Sequence, residues 1–249
     1  MKFVEYTKDK DIAIVTMNRP KLNALNLEMM DESAETWEMV ENDNSIKACI
    51  LTGKGKGYCV GFDMSDLDQG KFHPSKLQTM MPQRFSPSSL TKPVIAAING
   101  ATIGAGFDFM AMDADILVAA EDATFGMPEV IYGMATLGST FISANIPRAI
   151  AMEIALIGDS ISAKRAYEVG LLNKVVPLKD LMSTCLELAG KIARNSPAAV
   201  KQSKRAVLFA SAANLAARVD ETFAAGRSPL LETSRKGIAA FVRKEKPVW

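Results

Sequence analysis

The chain of 249 residues has few cysteines and almost no histidine. Its three cysteines, Cys49, Cys59 and Cys185, are odd in number and widely spaced, which argues against a disulfide framework and against a clustered metal site. This cysteine usage predicts a reducing, cytoplasmic setting. The only histidine, His73, lies before Pro74 in a segment with little periodicity, so we assign it no catalytic role.

An excess of one charge and an uninterrupted apolar run are also missing. The 29 Lys and Arg residues balance 28 Asp and Glu residues, so a net charge of +1 provides no long-range field to attract nucleic acid or an anionic membrane. The most apolar stretch, 94–120, contains Asn99, Asp108, Asp113 and Asp115, which is too polar for a membrane span. The first residues lack the pattern of a secretory signal. A composition that is 48% hydrophobic predicts a buried core instead.

Apolar patterning predicts an α/β protein in which strands and helices alternate. Short β-branched and apolar runs predict strands, and apolar residues at helical spacing predict helices, the first of them capped by Asn26. The predicted strands are 12–17, 48–52, 94–98, 115–119 and 174–176, and the predicted helices are 27–40, 148–157, 163–169 and 178–193.

Residues 196–249 have few strand signals and begin with Ser196-Pro197, a good helix start. We therefore divide the chain into a core, 1–195, and a C-terminal helical region, 196–249, whose amphipathic helices need a partner surface and are expected to make oligomer contacts. Lys201, Lys204 and Arg205 share one face of the first of these helices. Such a cluster is usually solvated.

Two glycine-containing turns, 58–64 and 99–106, each follow an apolar run. A strand that ends in small residues and opens into a helix leaves its first amides without intrahelical partners, so they can donate to a developing oxyanion. Two carboxylates, Asp108 and Glu129, follow within reach of the same cavity. Partial burial of Glu129 at the edge of an apolar segment would raise its pKa and suit it to proton exchange. The combination indicates carbonyl polarisation next to acid–base chemistry.

Five segments in order resemble the motifs of the crotonase superfamily, the enoyl-CoA hydratases and isomerases, and together they cover essentially the whole chain. These segments are 19–26, 58–64, 92–100, 125–129 and 162–172. The resemblance implies a spiral of ββα turns with a C-terminal helical trimerisation region, assembled as a trimer or a dimer of trimers. It also implies an acyl-CoA thioester substrate, with no metal and no cofactor beyond the coenzyme A of the substrate.

Residue by residue, the resemblance assigns the oxyanion hole to the backbone amides of Phe62 and Ala105, and the catalytic carboxylates to Glu129 and Asp108. It assigns contacts with the acyl-CoA to positions in the early turn, the first oxyanion segment, the later acyl pocket and the C-terminus, where the last two positions resemble elements that approach a neighbouring subunit's ligand. These positions are Ala24, Phe62, Asp63, Met64, Ser65, Leu137, Phe241 and Lys244. Asp63 also suits a helix N-cap.

Two positions depart from the hydratase pattern. Asp108 stands where family hydratases carry a second glutamate, so its side chain is one methylene shorter, and Leu137 replaces a glycine. The leading hypothesis is a lyase, an enoyl-CoA hydratase that adds water reversibly and syn to a trans-2-enoyl-CoA. A Δ3-Δ2 enoyl-CoA isomerase and a cyclic dienoyl-CoA hydratase remain alternatives within the superfamily. A noncatalytic or RNA-binding relative is the alternative from another class, and the near-neutral charge makes nucleic acid the less favoured partner.

Overall fold

The computed structural model describes residues 1–71, 84–134, 139–212 and 230–245, so His73 and Leu137 lie outside the described residues. The strands are β1 (Val4–Asp9), β2 (Ile12–Met17), β3 (Ala48–Gly53), β4 (Gly57–Cys59), β5 (Val94–Ile98), β6 (Ala101–Ile103), β7 (Ile116–Ala120), β8 (Thr124–Gly126), β9 (Ile161–Ser162) and β10 (Lys174–Val176). The helices are α1 (Leu27–Asn42), α2 (Met64–Asp68), α3 (Gly106–Ala111, a π-helix), α4 (Ser139–Asn145), α5 (Arg148–Ile157), α6 (Ala163–Glu168), α7 (Leu181–Ala193), α8 (Pro197–Ala212) and α9 (Leu230–Val242). Short 3₁₀ helices cover Pro87–Ser89, Pro128–Tyr132 and Leu178–Asp180.

Sequence patterning predicts the longer elements closely. The predicted strands at 12–17, 94–98 and 174–176 and the helix at 148–157 have the bounds of β2, β5, β10 and α5. Asn26 caps α1 as expected, because its side chain accepts a hydrogen bond of 3.0 Å from the Met29 amide. The helix predicted over 178–193 is wrong in one respect, since its first three residues form a separate 3₁₀ helix ahead of α7.

The strands form two sheets. The larger has the order β1-β2-β3-β5-β7-β10 and is parallel except for the β1–β2 pair. The smaller has the order β4-β6-β8-β9 and is parallel except for the β8–β9 pair. Three successive strand pairs, β3–β4, β5–β6 and β7–β8, each give one strand to each sheet, which is the predicted spiral of ββα turns.

Both faces of the central strands β3, β5 and β7 are buried, which is why these strands are almost wholly apolar, whereas the edge strand β1 is largely exposed and polar. Along β3, Ala48 and Ile50 pack with α7 on one face, while Cys49 and Leu51 belong to the core on the other face. That second core holds most of the large buried side chains, including Trp37 and Phe107. The smaller sheet is therefore held against a rigid apolar layer.

The C-terminal helix α8 is tied to this core by one lysine. Lys204 donates 2.8 Å to Asp115 Oδ2 and 3.0 Å to the Lys92 carbonyl, and its side chain is only 8% exposed. The expected solvated cluster is thus wrong for Lys204, while Lys201 and Arg205 are exposed. Within the ranges given above, none of the helices is both long enough and apolar enough to cross a bilayer.

Candidate active site

The candidate site lies where three parallel strands of the smaller sheet end. Cys59 in β4 pairs with Thr102 in β6, and Thr102 pairs with Phe125 in β8, so the carboxyl ends of the three strands meet at one edge. The residues that follow each strand therefore converge, as ligand-binding loops do at the ends of parallel strands. These segments contain Phe62, Ala105 and Glu129.

Glycines bring the first two segments into backbone contact. The position of a Cβ on Gly61 lies 3.2 Å from Ala105 N and 2.9 Å from the Ile103 carbonyl, and Gly61 has a φ of +87°. A Cβ on Gly106 would lie 2.2 Å from the Cys59 carbonyl. Only glycine lets the start of α3 approach β4 this closely. Ala105 N is thereby held next to Gly61, whose carbonyl carbon is bonded to Phe62 N.

The orientation of the Phe62 amide follows from its pairing with Leu25. Leu25 N donates 2.7 Å to the Gly61 carbonyl, and Asp63 N donates 2.8 Å to the Leu25 carbonyl. In a parallel bridge the amide of the central residue points away from its partner strand, so the N–H of Phe62 points away from Leu25. Ala105 directly precedes α3, where no earlier turn supplies a carbonyl for its N–H.

Glu129 lies on the 3₁₀ helix that follows β8, one residue after Pro128. Its Oε1 is 3.0 Å from the Cβ position of Gly104, and Gly104 N donates 2.9 Å to the Gly126 carbonyl at the end of β8. Its Oε2 is buried and has no hydrogen-bond partner among the described residues. Burial raises the pKa of Glu129 to about 7, against a small opposing effect of its own backbone amide.

Asp108 is held close to the same glycine, Gly104, through its backbone amide. It lies in α3, is 2% exposed, and its amide donates 2.9 Å to the Gly104 carbonyl. Gly104 therefore lies beside the Glu129 carboxylate and one turn before Asp108. A π-helix at this place is in keeping with the frequent use of such turns at functional sites. The structure thus brings Phe62, Ala105, Asp108 and Glu129 to one end of the smaller sheet.

The segment after Phe62 has the expected cap. Asp63 Oδ1 accepts from the Ser65 and Asp66 amides at the start of α2, at 3.0 and 3.4 Å. Met64 and Phe62 are half-buried and Ser65 is exposed, so this segment lies at the surface beside the site. Ala24, also half-buried, precedes the paired Leu25. The acyl-CoA positions predicted in the early turn and in the first oxyanion segment are therefore neighbours.

Arg19 belongs to the site but was not among the predicted site residues. Its guanidinium lies 2.5 Å from Asp63 Oδ2 and donates 2.9 Å to the Ala24 carbonyl. Its place at the start of the 19–26 motif was a signal, but the acidic partner is 44 residues away, and spacing in sequence did not connect the two.

The C-terminal residues lie on this chain's own site segments. Phe241 packs edge-on against Tyr132, with ring centroids 5.1 Å apart, and a Cβ on Gly237 would lie 2.0 Å from the Tyr132 carbonyl. Helix α9 contacts both α2 and the 3₁₀ helix that carries Glu129. Lys244 is exposed just after α9. In the single chain, Phe241 thus lies next to the chain's own Glu129 helix, whereas the resemblance implied an approach to a neighbouring subunit.

Comparison with known proteins identifies the family. The family model described as enoyl-CoA hydratase/isomerase matches residues 7–249. The short-chain-enoyl-CoA hydratase of Clostridium acetobutylicum is 36% identical over 246 residues, covering 96% of this chain and 94% of that protein. The 1,2-epoxyphenylacetyl-CoA isomerase of Escherichia coli is 34% identical, with 99% and 98% covered.

The fold agrees with the same assignment. The solved structure of EchA1_1 from Mycobacterium paratuberculosis superposes with a TM-score of 0.88 at 29% identity, covering 100% of this chain and 98% of that one. The predicted superfamily and fold are confirmed, and so is the predicted type of activity, an enoyl-CoA hydratase with isomerase relatives. The chain belongs to the enoyl-CoA hydratase/isomerase family and has the crotonase fold.

Proposed function

We propose that the protein is a hydro-lyase that adds water reversibly, with syn stereochemistry, to a trans-2-enoyl-CoA thioester. One observation carries the proposal: the carboxylate of Glu129, whose Oε2 is buried, places Oε1 3.0 Å from the Cβ position of Gly104, which directly precedes the Ala105 amide at the shared strand ends. An acid–base group and two converging amides are the equipment that thioester polarisation with proton transfer requires. The hydratase relatives support the same activity.

In the proposed mechanism, the Phe62 and Ala105 amides donate to the thioester oxygen and stabilise the charge that develops there as an enolate forms. Asp108 accepts a proton from water as the water oxygen bonds to C3. Glu129, protonated because burial raises its pKa to about 7, donates its proton to C2 as the enolate collapses. One water is consumed, and the proton gained by Asp108 returns to Glu129 before the next turnover.

The substrate assignment supplies the remaining roles. Coenzyme A enters as part of the substrate, and the proposed chemistry uses no metal or redox cofactor. Contacts with the acyl-CoA are proposed for two neighbouring surface segments, for the acyl pocket and for the C-terminus. The residues are Ala24, Phe62, Asp63, Met64, Ser65, Leu137, Phe241 and Lys244.

We propose that the protein is cytoplasmic and divides into a core, 1–195, and a helical region, 196–249. We also propose a homo-oligomer, either a trimer or a dimer of trimers. Large apolar side chains stay exposed on α5 and α8, including Leu156 at 70% and Val207 at 68% exposure. Such side chains suit an interface. The molar mass in solution, measured by light scattering, distinguishes a monomer, a trimer and a hexamer.

The first prediction concerns the carboxylates. Glu129→Gln removes the proton that C2 receives, so we expect kcat for hydration of a short-chain trans-2-enoyl-CoA to fall by about 10²-fold or more. The measurement is the loss of enoyl-thioester absorbance, and Asp108→Asn is expected to act in the same direction. Glu153→Gln is the matched control, because Glu153 is exposed on α5. Unchanged hydration by Glu129→Gln would contradict the mechanism.

A double-bond isomerase is the second candidate, favoured by the shorter side chain of Asp108 in place of the second glutamate. In that reaction Glu129 alone would carry a proton between two carbons, and Asp108 would be secondary. Turnover in ¹⁸O-labelled water separates the candidates, since hydration places the label in the product and isomerisation does not. A cyclic dienoyl-CoA hydratase would also incorporate label, but only from a ring substrate.

A further inference from the structure

Three interactions between the early turn, residues 19–26, and the segment after β4 hold the Phe62 amide in place. They are the two backbone hydrogen bonds of Leu25 and the ion pair between Arg19 and Asp63, whose charged side chains are not assigned contact with the reacting atoms. Leu25 pairs with Phe62 through the two residues that flank Phe62. The Leu25 amide donates 2.7 Å to the Gly61 carbonyl, and the Asp63 amide donates 2.8 Å to the Leu25 carbonyl. This is one isolated bridge rather than a continuous ladder. Two backbone hydrogen bonds alone give little stability against local opening.

Arg19 reinforces that bridge from both sides. One guanidinium nitrogen donates to the Ala24 carbonyl, next to Leu25, and the other contacts the Asp63 carboxylate, next to Phe62. The fixed planar fork of arginine can hold two such acceptors at once, which the single ammonium of lysine does less well. The arginine itself is positioned, because its amide donates 2.9 Å to Asn23 Oδ1.

Asp63 joins the pair to α2. Its second oxygen accepts the Ser65 and Asp66 amides, so one carboxylate fixes both the bridge and the start of the helix. Burial alone would raise the pKa of Asp63, but Arg19 and these amides outweigh it and hold the pKa below its usual range. The side chains of Arg19 and Asp63 are 16% and 18% exposed, so solvent screens the pair less than it screens a surface ion pair.

We propose that the Arg19–Asp63 ion pair is a positioning device that aims the Phe62 amide at the thioester oxygen. The inference rests on the proposed function, since it needs a thioester in the site. Neither residue is assigned contact with the reacting atoms. The pair acts by preventing the peptide between Gly61 and Phe62 from turning away from Ala105 N. Displacing one oxyanion donor weakens only the interactions that strengthen in the transition state, so kcat is affected more than KM.

The test compares Arg19→Met and Arg19→Lys. The Arg19 guanidinium lies 5.6 Å from the centre of the Phe3 ring, and methionine keeps an apolar stem of similar length against that ring. We expect Arg19→Met to lower kcat by about tenfold or more, with KM changed by less than about threefold. The kcat of Arg19→Lys should lie between that of the unsubstituted enzyme and that of Arg19→Met. This variant carries the test if Arg19→Met does not fold. Arg84→Met is the control, because Arg84 pairs with Glu38 at the exposed surface.

A spectroscopic readout separates positioning from a purely structural role. In a Glu129→Gln background, which slows turnover, the carbonyl stretching frequency of a bound enoyl-CoA reports polarisation by the two amides. Arg19→Met should move this frequency back toward its value in water, while Arg84→Met leaves it at the bound value. If Arg19→Met changes neither the carbonyl stretching frequency of the bound enoyl-CoA nor kcat, the positioning role is wrong. If the enzyme with Arg19 intact produces no shift and no turnover, the proposed function itself fails.

Discussion

Burial decides what the Glu129 carboxylate can do. Most glutamates are solvated, and a glutamate after a proline gives no sequence signal for burial. The similarity of residues 125–129 to a family motif outweighed the expectation of a solvated side chain. The structure supplies the physical reason: the carboxylate follows β8 directly and packs against a glycine that leaves room for it, with 3.0 Å between Oε1 and the Gly104 Cβ position.

The raised pKa of Glu129 predicts a pH dependence of catalysis. Below pH about 7 the group is protonated and can donate to C2, so hydration is expected to lose activity as pH rises above about 7. In the limit kcat/KM falls about tenfold per pH unit. The measurement is kcat/KM for hydration between pH 5.5 and 9, buffered at constant ionic strength. Glu129→Gln should lack this limb in its residual rate.

The same titration affects folding stability, with a definite sign. Because burial raises the pKa of Glu129 above its ordinary value of 4.5, the neutral form is favoured in the folded state, and this contribution is lost as pH rises through about 7. Glu129→Gln has no such ionisation. The melting temperature of the variant, relative to that of the natural protein, should therefore rise as the pH increases from 5 to 8.5. A constant difference in melting temperature across this range would contradict burial of a titrating carboxylate.

At the scale of elements, the sequence predicted most strands of the larger sheet and missed the strands of the smaller one. Strands β2, β5 and β10 matched because apolar runs bounded by turn residues are a strong signal. Strands β4, β6 and β8 have the sequences Gly-Tyr-Cys, Ala-Thr-Ile and Thr-Phe-Gly, and the glycine or threonine in each leaves no continuous apolar run to detect. The glycine turns beyond them were found, because backbone approach requires glycine at fixed places.

Gly106 tests whether this approach governs the site. By helix propensity alone, Ala is favoured over Gly by about 1 kcal/mol, so Gly106→Ala would be expected to stabilise α3. The Cys59 carbonyl, 2.2 Å from the added Cβ, reverses that expectation because two backbones must move apart. We predict a loss of about 1–3 kcal/mol in the free energy of unfolding and a fall in kcat of about tenfold or more. Denaturant unfolding and steady-state kinetics measure the two effects.

Gly190 provides the control for that prediction. It lies in α7, and a Cβ there has no neighbour within 4 Å among the described atoms. Gly190→Ala should therefore leave kcat unchanged and raise stability by up to about 1 kcal/mol. If both alanine variants behaved alike, helix propensity rather than strand-to-helix packing would control the position of Gly106.

At the scale of the whole molecule, what the sequence left open was how the C-terminal helices meet the core. Amphipathic spacing predicted helices after residue 196 but not the surfaces that they cover. The structure places α9 against α2 and against the Glu129 helix, and it places α8 beside the starts of β5 and β7. Such contacts depend on residues far apart in the chain, as with Lys204 and Asp115, which are separated by 89 positions.

Lys204 therefore offers a test of how firmly α8 is attached. Lys204→Met keeps the stem but removes the donor shared by Asp115 and the Lys92 carbonyl in a site where the side chain is 8% exposed. We predict a loss of about 1–3 kcal/mol in the free energy of unfolding, because two hydrogen bonds from a charged donor are lost. Lys201→Met is the matched control on the same helix: its side chain is 57% exposed and lies 4.0 Å from Glu41. An exposed pair at that distance contributes at most about 1 kcal/mol. Equal effects of the two variants in denaturant unfolding at one protein concentration would show that Lys204 does not anchor α8.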